Sequence, residues 1–265
     1  MNRWMLGTLM ALLVGLIPVT ALATNVITAF GPALLPNAAG PNMFGSAQMQ
    51  VSIYQTMPLG GIIDFALTNT SPHILLQPGK YANAFIPEIM FDLPDDYVPI
   101  YDQCQVLAPV GVRFSNGPGN QVVTTTIMRA LDWVYETGHG GGLYVHANES
   151  TDVKNYNAVF SANALNTSGV PVDDYAQGWL KNNWRGGVFD TVIFRVKFEN
   201  SGPITEGDLP FFSDDHLTVK FQGGDGSVFA PNHAMAIVPE PASLLLLVPA
   251  ALLFVPAIHR LRRAH

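Results

Sequence analysis

The residues best suited to chemistry in this 265-residue chain cluster in a few short stretches. The richest is Glu136-Thr137-Gly138-His139-Gly140-Gly141-Gly142-Leu143-Tyr144-Val145-His146. Its glutamate and two histidines could converge across a hairpin, and His139 and His146 are the residue type that zinc or copper prefers. The same residues serve equally well as exposed polar groups of a hairpin loop. A second set comprises the doublets Asp95-Asp96, Asp173-Asp174 and Asp214-Asp215, with Asp225 in the turn Gly223-Gly224-Asp225-Gly226. Loop aspartates and backbone carbonyls can supply the oxygen shell that calcium takes, although capping and turn roles use the same side chains. No cofactor is expected on balance, and a bound calcium is the alternative these residues leave open.

A third set is aromatic. Trp179-Leu180-Lys181-Asn182-Asn183-Trp184-Arg185 places Trp179, Trp184 and Arg185 beside two asparagines, a plausible platform for the apolar faces and hydroxyls of a sugar. Trp133, Tyr135, Tyr144 and Tyr175 could add to it, and burial in a core is the alternative use of all these rings. Cys104 stands alone, so no internal disulfide can form and the fold must rest on its core. Catalytic signatures are missing: there is no G-x-S-x-G, no H-E-x-x-H, no C-x-x-C and no phosphate-binding loop. A pI of about 5.4 with only 13 basic residues argues against a nucleic-acid partner.

The elements that must position these residues read as strands. Residues 61–68 put Ile63, Phe65 and Leu67 on one face, and 191–198 put Val192, Phe194, Val196 and Phe198 on one face with Arg195 and Lys197 opposite. Residues 217–222 alternate in the same way. Period-two patterning describes a sheet with one buried and one wet face. Further strands are expected within 48–55, 85–93, 110–115, 121–128, 143–147 and 158–162, separated by Gly- and Asn-rich turns. One short helix is possible over 172–183. The pattern predicts an all-β chain, a single β-sandwich over 24–230 with a jelly roll as one form it could take.

The two ends have a different character. A mean hydropathy of +0.23 is high for a domain of this kind, and the apolar excess lies largely there. Residues 1–23 combine Arg3, an apolar run and Ala21-Leu22-Ala23, the pattern of a secretory signal peptide cleaved before Thr24 by signal peptidase. At the other end, 231–238 reads as a linker. Pro239-Glu240-Pro241-Ala242-Ser243 follows, then an apolar stretch over 242–258 and the cluster Arg260, Arg262 and Arg263. That stretch is at the lower limit for a transmembrane helix, and arginines directly after it put its end on the cytoplasmic side. Without the ends, the 9 basic and 19 acidic residues of 24–238 give a net charge of −10.

The tail of 239–265 resembles the PEP-CTERM sorting signal of exported proteins in Gram-negative bacteria that make extracellular polysaccharide. The resemblance implies processing near Pro239-Glu240-Pro241 by an exosortase. It also implies a cell-envelope, outer-surface or matrix location, with the membrane reached through the C-terminal helix and polysaccharide as a partner. Pro249 and Pro256 interrupt the apolar stretch and would kink a helix there. Together with the absence of catalytic motifs, these observations lead to a non-enzymatic protein with a structural or adhesive role. A polysaccharide hydrolase and a calcium-dependent lectin are its rivals.

Overall fold

The structure is a computed structural model that describes residues 24–38, 41–77, 80–115, 123–124, 127–131, 133–138, 142–147, 158–165, 187–223 and 226–239. The chain divides into two compact units. One joins Met1–Thr24 to Pro239–His265, and only Thr24 and Pro239 of it are described. The other, Asn25–Val238, carries the sheet and everything below.

The first half of the chain contributes β1 (Thr24–Leu35), β2 (Met43–Met57), β3 (Gly60–Asn69), β4 (Ile74–Gln77), β5 (Lys80–Ala82), β6 (Phe85–Phe91), β7 (Val98–Pro99), β8 (Gln105–Ala108) and β9 (Arg113–Ser115). The second contributes β10 (Val123–Thr124), β11 (Arg129–Ala130), β12 (Trp133–Thr137), β13 (Leu143–Ala147), β14 (Ala158–Phe160), β15 (Gly187–Phe189), β16 (Thr191–Glu199), β17 (Leu217–Gly223) and β18 (Gly226–Pro239). Strands β4 and β5 pair with each other, and the rest join one 16-stranded sheet. Its main path runs β10-β9-β15-β14-β6-β17-β18-β1-β2-β3-β16-β8-β11, with β12-β13 added through β6 and β7 through β16.

This mostly-β sheet curls into a half-barrel, an arrangement consistent with a β-sandwich or jelly roll. The alternation read from the sequence decides which face of it is buried. Ile63, Phe65 and Leu67 of β3, and Val192, Phe194, Val196 and Phe198 of β16, are all buried, while Arg195 and Lys197 point away. Across the curl, the Phe65 ring meets Phe91 of β6 edge-on at 4.8 Å. Phe212, from a 3-10 helix over Glu206–Ser213, packs on Phe65 at 5.1 Å. Trp133 of β12 reaches Phe194 at 5.1 Å. Offset and edge-to-face pairs of this kind add to the burial of the rings themselves. One contiguous core therefore joins the inner faces of β1, β2, β3 and β16 to those of β6, β13 and β17.

Two expectations about the ends change. Strand β18 runs to Pro239, so 231–238 continues the sheet where a linker was expected. Among the described residues no helix is long and apolar enough to cross a membrane. A span needs about 20 apolar residues in a helix. The described helical segments are 3-10 turns, the longest of 8 residues, and most of the buried apolar residues sit in strands. The described chain thus gives no transmembrane helix for membrane attachment or a cell-envelope location to rest on, and those expectations are corrected here. Residues 242–258 themselves, and the helix expected over 172–183, lie outside the described residues.

Candidate functional site

The outer face of β12, β13, β6, β17 and β18 gathers more chemistry than any single stretch of sequence shows. Register fixes which residues meet there. Glu136 stands opposite Tyr144, Tyr144 opposite Met90, Met90 opposite Thr218, and Thr218 opposite Pro231. The next outward row runs Val134, His146, Glu88, Lys220 and Phe229. Their inward neighbours Leu143, Val145, Ile89, Val219 and Phe221 are buried, so burial of one set dictates the outward direction of the other.

A cavity of about 360 Å³ opens on this face, lined by Met90, Glu136, Thr137, Gly138, Tyr144 and Phe229. The Tyr144 and His146 rings stack at 4.9 Å and 26°. His146 Nε2 lies 3.5 Å from the Glu136 carboxylate, and His146 Nδ1 lies 3.1 Å from the carbonyl of Ala147. Lys220 Nζ donates to Glu88 Oε1 at 2.5 Å and sits 5.5 Å from the centre of the Phe229 ring. Phe229 is half exposed, although a ring of its size is expensive to leave in water.

A second group forms where β18 passes the end of the 3-10 helix. Ligand atoms of Asp214, Asp215 and His233 all lie within 4.8 Å of one another. Behind them is a buried polar network. Asn232 Oδ1 accepts from the Leu217 N–H at 3.0 Å, and its Nδ2 donates to the Phe212 carbonyl at 3.0 Å and to Thr28 Oγ1 at 2.9 Å. Thr28 Oγ1 in turn lies 3.0 Å from the Ser213 carbonyl and 2.8 Å from that of His233. This network ties the Asp214-Asp215 turn to β18. The three side chains could hold a divalent ion. An imidazole among only two carboxylates suits zinc or another transition metal better than calcium, whose shell is built from oxygen.

A second cavity, of about 340 Å³, lies between β8 and β12, with Tyr101, Cys104, Gln105, Leu131, Trp133 and Tyr135 among its walls. Burial pushes the Cys104 thiol up to about 11, and its Sγ donates to the Ile100 carbonyl at 3.3 Å. A thiol held neutral in this way is a poor nucleophile. Tyr135 is raised well above its ordinary value by the same desolvation, and its hydroxyl donates to the Gln105 carbonyl at 2.8 Å.

The residues singled out in the sequence are therefore separated. His146 belongs to the Glu136–Tyr144 face, whereas Asp214 and Asp215 belong with His233. Residues His139, Asp225, Trp179, Trp184 and Arg185 lie outside the described residues, so the expected sugar platform on the tryptophans does too. Thr24 opens β1 and Pro239 closes β18. Ala21, Ala23, Glu240, Pro241, Arg260, Arg262 and Arg263 lie outside the description as well. Among the described residues there is no membrane-spanning helix for the expected anchor to rest on, and the partnerships expected at those ends, with signal peptidase, exosortase and the membrane, are corrected accordingly.

His233, Phe229 and the Glu88–Lys220 pair escaped the sequence reading. The turn at Gly223–Gly226 was the available signal, because it sets the β17–β18 register that brings them into place. No protein-family model matches the chain, and neither a curated protein nor a solved structure matches it.

Proposed function

We propose that the chain is a non-enzymatic protein with a structural or adhesive role, built on a β-sandwich of jelly-roll type. Its work is to hold a carbohydrate surface. The observation that carries this reading is the cavity on the outer face of β12, β13, β6, β17 and β18, where Tyr144 and Phe229 lie with the exposed carboxylate of Glu136. Rings against apolar faces and a carboxylate against hydroxyls are what a saccharide needs in order to be held. Hydrolysis of a glycosidic bond needs two carboxylates about 5–9.5 Å apart across a cleft. Among the described residues that line the two cavities above, Glu136 is the one carboxylate, and it belongs to the outer-face cavity. The similarity of the Pro239-Glu240-Pro241 tail to the PEP-CTERM signal supports the same reading, because it points to a class defined by how its members are sorted rather than by a shared reaction.

The test incubates the full chain with a panel of insoluble polysaccharides and measures two quantities in each sample. Retention of protein on the solid without release of reducing ends is the expected result. Release of reducing ends that grows with time would overturn the non-enzymatic reading.

A further inference from the structure

The outer face described above has a cavity whose walls carry a more specific message than adhesion. We infer that the cleft bounded by Glu136, Tyr144 and Phe229 is a binding site for an uncharged oligosaccharide, an assignment that rests on the adhesive reading and names its ligand.

Ring presentation is the first ground. Tyr144 is held by the stacked His146 ring at 4.9 Å, so its plane is set before any ligand arrives. Phe229 is half exposed and has Lys220 Nζ 5.5 Å from its centre. Aromatic groups fixed in this way lose little freedom on binding, which favours affinity. Between them, on β6, lies the side chain of Met90, which lines the same cavity.

Charge is the second ground. Among the described lining residues Glu136 is the one carboxylate, it is exposed, and no lysine or arginine joins it. The nearest ammonium on the face, that of Lys220, is engaged by Glu88 at 2.5 Å. An anionic sugar would thus meet a carboxylate with no opposing cation, on a region of net charge −10 counted from the 9 basic and 19 acidic residues of 24–238. Hydroxyl groups, by contrast, donate to a carboxylate, and charge-assisted bonds of this kind are stronger than neutral ones.

Length is the third ground. Tyr144 on β13 is separated from Phe229 on β18 by β6 and β17. At about 4.8 Å per strand the two backbones stand roughly 14 Å apart. A compact cation could sit on one ring alone, whereas a chain of several sugar units spans both. The geometry therefore favours an oligosaccharide laid across the strands over a small quaternary ammonium ion.

The experiment titrates the full chain with neutral hexasaccharides of gluco, manno and galacto configuration. Oligogalacturonate serves as the anionic comparison and choline as the cationic one. The expected result is binding of at least one neutral hexasaccharide, with oligogalacturonate and choline at least tenfold weaker. Tyr144→Ala and Phe229→Ala should each weaken that binding about tenfold or more, and Glu136→Gln several-fold. Tyr54→Ala, which removes an exposed ring elsewhere on the sheet, should leave it unchanged. Glu136 and Phe229 are exposed, so their variants keep the fold, and unchanged thermal melts confirm it. Binding by the parent chain that survives all three site substitutions overturns the site while leaving the adhesive reading intact. Absence of neutral-sugar binding, or preference for oligogalacturonate or choline, overturns the ligand assignment. Cleavage of a hexasaccharide would instead overturn the non-enzymatic reading beneath it.

Discussion

Asn232 is fully buried, and its side chain can adopt only one orientation. The Leu217 N–H can only donate and so faces Oδ1, while the Phe212 carbonyl can only accept and so faces Nδ2. Substitution to alanine leaves a backbone N–H, a carbonyl and the Thr28 hydroxyl each short of a partner, and opens a small void. An unsatisfied buried group costs about 1–3 kcal/mol. The carbonyls keep a second lone pair and the hydroxyl can rotate, so the total for Asn232→Ala should fall near 3 kcal/mol. For a domain of this size each kcal/mol lowers Tm by about 2–4 °C, giving a loss of roughly 6–12 °C.

Asn232→Asp is the more discriminating variant. It keeps an acceptor for Leu217 but turns an oxygen toward the Phe212 carbonyl, a contact that only the protonated acid can satisfy. Its folded-state pKa must then lie above the unfolded value of about 3.9. The native state holds the proton longer, so stability is fully present below about 3.9 and is lost as pH rises through the folded pKa. Urea unfolding of the parent and both variants at pH 4.5 and pH 7 measures this. The penalty for Asn232→Asp should be clearly smaller at pH 4.5. An equal penalty at both values, or an Asn232→Ala variant within about 0.5 kcal/mol of the parent, would refute the reasoning about this network.

Three further outcomes follow from the structure. Gly60 has φ +112° and its missing Cβ would collide with the Phe198 carbonyl, so Gly60→Ala should destabilise by about 1–3 kcal/mol in urea unfolding, and a neutral effect would contradict that geometry. The Cys104 thiol, raised to about 11, should react with iodoacetamide far more slowly than a free thiol at pH 8, with the rate climbing as pH approaches 11; a rate at pH 8 equal to that of free cysteine would contradict its burial. Millimolar calcium should leave the melting temperature unchanged against a chelator control, because Asp214, Asp215 and His233 offer too few oxygens. A calcium-dependent rise of several degrees would restore the calcium reading.

The sheet was legible because its signal is local. Residues 61–68, 191–198 and 217–222 alternate on their own, and β3, β16 and β17 bury the residues that alternation selects. Strand β6 was harder to read in detail, since nearly every residue in Phe85–Phe91 is buried, Glu88 on the outer face included, and burial therefore does not alternate along it. The 3-10 helix over Glu206–Ser213 left no helical period, because a run of that length with Gly207 and Pro210 inside it shows none. It starts instead from a local device, the Thr205 N–H donating to Asp208 Oδ2 at 2.6 Å.

The candidate site was legible only as residue types. Tyr144, His146 and Glu136 lie in one stretch and could be singled out together. Phe229 and Lys220 join them through the pairing of β17 with β6 and β18, a relation between residues about 80 positions apart that no window of sequence contains. The Asp214-Asp215 doublet likewise acquires His233 only once β18 continues beyond residue 230, where a linker had been expected.

The most direct measurement is a crystal structure of the chain soaked in the neutral hexasaccharide it binds best. The account expects an intact oligosaccharide across β13, β6, β17 and β18, with a sugar ring on Tyr144 and hydroxyls on the Glu136 carboxylate. A cleaved sugar, or one seated in the cavity of Tyr101, Trp133 and Tyr135 with the outer face empty, would contradict it.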